Sequence, residues 1–193
     1  MVLKSTFFCL FPFLRKYRKI PKNLVFNELS HFYPNITRGR VIKVYDGDTI
    51  TVAARVPELK NNKIYKFSIR LNRIDAPELR TTNVIEKEYA IKVRDLLSER
   101  IMNKMIRLKV LKSDKYGRYL CEIYYKKDNI NDWLLNNNYA TTYNGGTKSN
   151  FDTRNYNPSL EEEIAVAVSI DYNRNPNNRV TVNARIPGDY IIE

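Results

Sequence analysis

The chain has 193 residues, 43% of them hydrophobic and 28% charged, with a formal net charge of +12. That length suits one domain of ordinary size with extensions, and the balance of apolar and charged residues excludes a disordered polar chain. The positive surplus favours anionic partners, nucleic acid first and an acidic membrane surface second.

The charge is unevenly placed. Residues 1–43 hold nine Lys and Arg against one acid, Glu28, whereas residues 151–193 hold four Arg against seven acids. This predicts a basic N-terminal arm over 1–37, a folded core over 38–150 and an acidic C-terminal extension over 151–193. Two cysteines, Cys9 and Cys121, exclude a disulfide framework and by themselves make no metal site. The arm opens with the apolar run Phe7 to Leu14, followed by Arg15-Lys16-Tyr17-Arg18-Lys19. The run falls well short of the roughly 20 residues that span a bilayer. Pro12 interrupts it and no small-residue cleavage site follows, so it makes neither a convincing signal peptide nor a transmembrane helix. Two readings stand: an arm lying on the domain or on nucleic acid, or contact of residues 5–19 with an anionic membrane, with Cys9 open to palmitoylation. The compartment stays open, and Asn35-Ile36-Thr37 is a glycosylation sequon that matters only in a secreted protein.

From Gly39 the pattern becomes regular. Val41 to Tyr45 and Thr49 to Val52 read as strands around an Asp46-Gly47-Asp48 turn, and Ile64 to Ile74 reads as a third strand closed by Pro77. Asn83 and Glu86 fit a capping box, with apolar residues at 85, 89, 93, 96, 97 and 101 predicting a helix with one buried face. Met105 to Leu111 and Tyr119 to Tyr125 read as strands around the Asp114-Lys115-Tyr116-Gly117-Arg118 turn, and Ile130 to Tyr139 as a short helix. Three strands, a helix, two strands and a helix is the order of an OB-fold barrel, an α+β class that is mainly β. In the tail, Ser159 and Glu162 fit a capping box and predict a helical turn. Alternation from Ile164 to Tyr172 and from Val180 to Ile186 predicts a β-hairpin.

The stretch Phe67 to Glu78 puts Arg70, Asp75 and Glu78 within nine residues of one apolar strand. Such residues make a poor core and a good site for a metal and a phosphate. Taken in order, Asp-Gly-Asp-Thr at 46–49, Arg-Leu-Asn-Arg-Ile-Asp-Ala-Pro-Glu at 70–78 and Asp-Lys-Tyr-Gly-Arg at 114–118 resemble the staphylococcal nuclease-like (thermonuclease) family over about residues 38–150. The resemblance implies an OB-fold barrel and a calcium-dependent phosphodiesterase, an endonuclease on DNA and RNA that leaves 3′-phosphate ends. It implies that Asp48 and Asp75 ligate Ca2+ through carboxylates and Ala76 through its carbonyl, with Asp46 outside the ligands. It implies that Arg70 and Arg118 bind the scissile phosphate and that Glu78 activates or positions water. Lys115, Tyr116 and Tyr143 resemble the residues that hold the neighbouring nucleotide.

The chemistry agrees with that assignment. Calcium takes six to eight oxygens in loose geometry, and an Arg fork matches phosphoryl oxygens better than a Lys point charge. A single histidine, His31, excludes a His-based nuclease. The sequence departs from the family at Asn72 and Arg73, where apolar residues or Gly are common. Arg73 reads either as an extra phosphate contact or as a solvated outward residue, and Asn144 to Lys148 as an amide-lined turn. The expected partner is nucleic acid, preferentially single-stranded, met by a monomer. The competing expectation is a catalytically silent OB-fold module that binds nucleic acid or protein, with 14 Tyr available for stacking. Arg70 and Asp75 are five apart, so a straight strand would turn them to opposite faces. A shared site therefore predicts a bend or bulge near Asn72 to Ile74.

Overall fold

The computed structural model describes residues 20–146, 150–160 and 164. The chain divides into two units, Met1–Tyr33 and Pro34–Glu193. In the first, residues 20–33 carry one 3-10 turn, Phe26–Glu28, and expose Ile20, Phe26, Leu29 and Phe32. Residues 5–19, where membrane contact was expected, lie outside the described residues. Among the described residues no helix is long and apolar enough to cross a membrane.

The second unit is a closed five-stranded barrel. Strands β1 (Arg38–Val44), β2 (Thr49–Ala54), β3 (Tyr65–Leu71), β5 (Met105–Ser113) and β6 (Tyr119–Tyr125) form a sheet in the order β3-β2-β1-β5-β6. The sheet closes through a parallel pairing of β3 with β6, at Ile69 with Tyr119, Arg70 with Leu120 and Leu71 with Cys121. Closure leaves these strands no bare edge and requires them to coil. Bulges between Val41 and Lys43 and between Val110 and Lys112 supply local coiling. The unit also holds the two-residue strands β4 (Ile74–Asp75), β7 (Asp128–Asn129) and β8 (Thr141–Thr142) and the helices α1 (Val84–Ile101) and α2 (Ile130–Asn136). The fold is the OB-fold with helices packed on it that the order of elements predicts.

Helix α1 (Val84–Ile101) buries Tyr89, Ala90, Val93, Leu97 and Ile101, one stripe at helical spacing. Each large apolar side chain removed from water there contributes roughly 1.5–3 kcal/mol. Asn83 caps the helix by accepting from the Ile85 and Glu86 amides. The core continues past the barrel: Tyr156, Leu160 and Ile164 are buried in it, and Tyr89, Phe151 and Tyr156 meet ring to ring. Ser159, Leu160 and Ile164 are helical. The expected hairpin thus has a helical first residue, and its remainder lies outside the described residues.

The long third strand expected from Ile64 to Ile74 is broken where a shared site requires it. β3 stops at Leu71, Asn72 and Arg73 turn, and β4 begins at Ile74. Arg73 sits at φ 65°, in the left-handed region where Gly is relaxed. Its guanidinium offsets that cost by pairing with Glu122 at 2.8 Å and Asp132 at 2.9 Å. Asn131, fully buried on α2, holds the turn from behind. Its amide donates to Asn72 O at 2.9 Å and Cys121 O at 3.1 Å, and its carbonyl accepts from the Ile123 amide.

Candidate active site

Three loops at one end of the barrel bring the acids and arginines together. The first is the turn Asp46-Gly47-Asp48 between β1 and β2. Tyr45 and Asp46 both donate backbone N–H to Thr49 O, and the Asp48 amide donates to Asp46 Oδ1. Gly47 is wedged: a Cβ there would lie 2.6 Å from Ala76 Cβ and 2.7 Å from Val93 Cγ1. The turn therefore sits directly on the second loop and on α1.

The second loop runs from the end of β3 to Glu78. Arg70, on β3, is buried together with Asp48 and Asp75. Its Nη2 donates to Asp75 Oδ1 at 3.1 Å, and its Nη1 forms an ion pair with Asp48 Oδ2. The break at Asn72 and Arg73 is what turns Asp75 back to Arg70. Asp48 Oδ2 also accepts from the Ala76 amide at 3.2 Å, so the two acids and the Ala76 backbone converge. Burial lowers the pKa of the Arg70 guanidinium, opposed by the charge of Asp75 and reinforced by that of Arg118.

The third loop joins β5 to β6. Asp114 holds it by accepting from the Tyr116 and Arg118 amides, each at 2.9 Å, and from Arg118 Nε at 2.7 Å. Gly117 takes φ 78° at the tip. Burial raises the Asp114 carboxyl, but the hydrogen bonds from Arg118 and Tyr116 outweigh it and leave it below its ordinary range. Arg118 Nη1 reaches Thr49 Oγ1 at 3.2 Å, and that hydroxyl donates to Asp48 Oδ1 at 2.8 Å. Thr49 is thus the bridge between the second arginine and the acids.

Asp46, half-buried beside this cluster, has its carboxyl pushed up by burial and by Glu78, against hydrogen bonds from Thr49 and the charge of Arg70. Glu78 is exposed, and its amide donates to Glu86 Oε1 at 3.1 Å. Asp46, Asp48, Asp75 and Glu78 outnumber the two guanidiniums, one of which Asp114 already matches. A surplus of oxygen donors and negative charge around two convergent buried carboxylates is the chemistry a hard divalent cation fits. Among the described residues no three Asp, Glu, His or Cys side chains converge to hold a metal by themselves. Backbone, water or substrate oxygens must complete any such set.

Of the remaining expected residues, Lys115 and Tyr116 are exposed on the third loop, with the Lys115 ammonium 5.0 Å and the Arg118 guanidinium 5.5 Å from the Tyr116 ring. Tyr143 lies after β8, which pairs with β4 at Ile74 and Asp75. Its amide donates to Arg73 O, and its hydroxyl donates to Gly146 O at 2.7 Å. Arg73 is held by Glu122 and Asp132 rather than turned to the site. Of the amide-lined turn, Thr147 and Lys148 lie outside the described residues.

Two residues escaped the sequence reading. Glu86, taken only as half of a capping box, reaches past Asn83 to Thr81 Oγ1 at 2.8 Å and to the Glu78 amide, and so anchors the Glu78 loop to α1. Asn131 gave no signal beyond its polar character inside an apolar helix pattern. Cys121 is buried and its thiol is pushed up to about 12 by burial and by Glu122, which makes it inert.

Residues 68–166 match the family described as staphylococcal nuclease homologue. The chain is 34% identical over 120 residues to a Haemophilus influenzae protein named as an uncharacterized endonuclease, covering 62% of this chain and 60% of that protein. It is 30% identical over 158 residues to an uncharacterized protein of Methanocaldococcus jannaschii, covering 69% of this chain and 68% of that one. It is 28% identical over 173 residues to a probable endonuclease of Podospora anserina, covering 79% of this chain and 61% of that one. The chain thus spans between three fifths and about two thirds of these relatives' lengths.

Proposed function

Because the chain belongs to the family of staphylococcal nuclease homologues, we propose that it is a calcium-dependent endonuclease, a phosphodiesterase that hydrolyses DNA and RNA and leaves 3′-phosphate ends. One observation carries the reading: Arg70 lies between Asp48 and Asp75, while Arg118 reaches the same carboxylate through Thr49. That four charged groups from three separate segments of the chain gather at one end of the barrel supports a site for one phosphodiester.

Asp48 and Asp75 would hold Ca2+ with the Ala76 carbonyl, substrate and water oxygens completing the set, and Asp46 stands behind them. Bound there, the ion would supply Lewis-acid polarisation of the phosphoryl group and a site for the attacking water. The protein's own residues do the rest. Arg70 and Arg118 bind the non-bridging oxygens and stabilise the charge that develops as water adds to phosphorus. Glu78, exposed at the end of its loop, accepts the proton of that water. The new P–O bond forms as the bond to the 5′ oxygen breaks, and that oxygen takes its proton from solvent water as it leaves, so the phosphate stays on the 3′ side. Lys115, Tyr116 and Tyr143 would hold the adjoining nucleotide.

The test is cleavage of single-stranded DNA and RNA by the full chain in calcium and in chelator, with Arg70→Ala alongside. Loss of an arginine that acts only on the transition state costs about 2.7–4 kcal/mol by analogy with an oxyanion donor, or roughly a hundred- to thousand-fold in rate. Equal cleavage in chelator, or an Arg70→Ala protein as fast as the parent, refutes the mechanism.

A further inference from the structure

The trio at the third loop, one Tyr with a Lys and an Arg at its ring, recurs in a second place that the proposed mechanism does not use. Tyr45 follows the end of β1, immediately before Asp46, and is 40% exposed. The Lys43 ammonium lies 5.2 Å from its ring centroid and the Arg80 guanidinium 5.9 Å. At Tyr116, which is 72% exposed, the corresponding distances are 5.0 Å to Lys115 and 5.5 Å to Arg118. Both distances at Tyr45 fall within the roughly 6 Å of a cation–π contact, and the ring's exposure leaves surface to offer beside the two cations.

The position of this second trio is fixed by the site itself. Tyr45 donates its backbone N–H to the Thr49 carbonyl at 2.9 Å, while Arg118 donates to the Thr49 hydroxyl at 3.2 Å. The two trios therefore meet at one residue, beside the Asp48 carboxylate. Arg80 stands two residues after Glu78, so its contact with Tyr45 ties the first loop to the second. The turn cannot swing away, because Gly47 is wedged against Ala76 and Val93. A rigid exposed ring with two cations beside it offers a π-face to a base and positive charge to the phosphates on either side of that base.

We infer that Tyr45, with Lys43 and Arg80, is a second nucleotide platform that stacks an unpaired base next to the scissile phosphate, separate from the base at Tyr116. The inference rests on the nucleic-acid reading above and deepens it. A base locked in a duplex has both faces covered, so a platform on each arginine-bearing side selects single strands of DNA or RNA.

The experiment measures equilibrium binding by fluorescence anisotropy, using the full chain carrying Glu78→Gln so that the probe survives. The probes are an oligothymidylate and an abasic oligonucleotide with the same phosphates, at one fixed salt concentration. Tyr45→Ala weakens oligothymidylate binding by about five- to a hundred-and-fifty-fold, the worth of one base stack. It leaves abasic binding unchanged, and Tyr45→Phe matches the parent on both probes. Arg80→Ala weakens both probes together, since phosphates are common to them. Tyr45→Ala binding like the parent, or losing both probes equally, overturns the platform while leaving the nuclease reading intact. A parent that binds neither probe overturns both.

Discussion

Gly47→Ala tests the wedge on which the site is built. The backbone at Gly47 lies outside the left-handed region, so alanine suffers no conformational penalty and the whole effect is steric. The new methyl would lie 2.6 Å from Ala76 Cβ and 2.7 Å from Val93 Cγ1. Carbon atoms pack at about 3.5–4.0 Å, so one side must retreat by roughly 1 Å. Neither neighbour is the end of a long side chain: Val93 is fully buried on α1, and Ala76 belongs to the Asp75 loop. Overpacking of this kind costs about 1–3 kcal/mol. In a chain of this length that lowers Tm by roughly 2–12 °C. Activity falls further than stability, because the displaced turn carries Asp48 away from the Ala76 amide and from Arg70. A misplacement near 1 Å at reacting groups costs on the order of a hundred-fold in rate. The assay pairs thermal unfolding with calcium-supported cleavage at a temperature where both proteins are folded. Val93→Ala removes one of the two collisions, so the double variant is more stable than the sum of the singles by about 0.5–3 kcal/mol. An unchanged Tm for Gly47→Ala, or strict additivity with Val93→Ala, refutes the wedge.

Two further predictions concern the far side of the β3–β4 turn. Burial raises the Glu122 carboxyl, but hydrogen bonds from Arg73, Asn72 and Asn129, together with the Arg73 charge, outweigh it and hold it below its ordinary range. A depressed folded pKa means that this stability is fully present above about pH 4.5 and is lost as pH falls through the folded value. Glu122→Gln therefore costs about 1–3 kcal/mol at neutral pH, and the gap to the parent closes on acidification; urea unfolding across pH 3 to 7 checks it, and a gap that is constant with pH counts against the assignment. Asn131→Ala removes bonds to Asn72 O, Cys121 O and the Ile123 amide, of which Cys121 O keeps the Asn72 amide as donor. Two buried groups left unpaired cost about 2–6 kcal/mol, and a urea midpoint like the parent's would show that Asn131 holds nothing.

The sequence by itself determined the elements and the motifs that carry the family resemblance. Period-two alternation marked the barrel strands, the stripe from Tyr89 to Ile101 marked α1, and the three loop motifs marked Asp48, Arg70, Asp75 and Arg118, because in each case the decisive neighbours lie within a few residues. Even the break at Asn72 and Arg73 was legible, since two side chains five apart, expected in one site, cannot share a face of a straight strand. Tertiary structure alone decided the rest. The parallel closure of β3 on β6 joins residues about fifty apart, and no local pattern encodes which strands meet. Arg73 reads as a free cation until Glu122 and Asp132 arrive from β6 and α2. Glu86 reads as a helix cap until the chain folds Glu78 onto it, and Tyr45 as a strand end until Arg80 comes to its ring. A side chain's type sets what it can do, but its partners set what it does, and partners are chosen by the path of the whole chain.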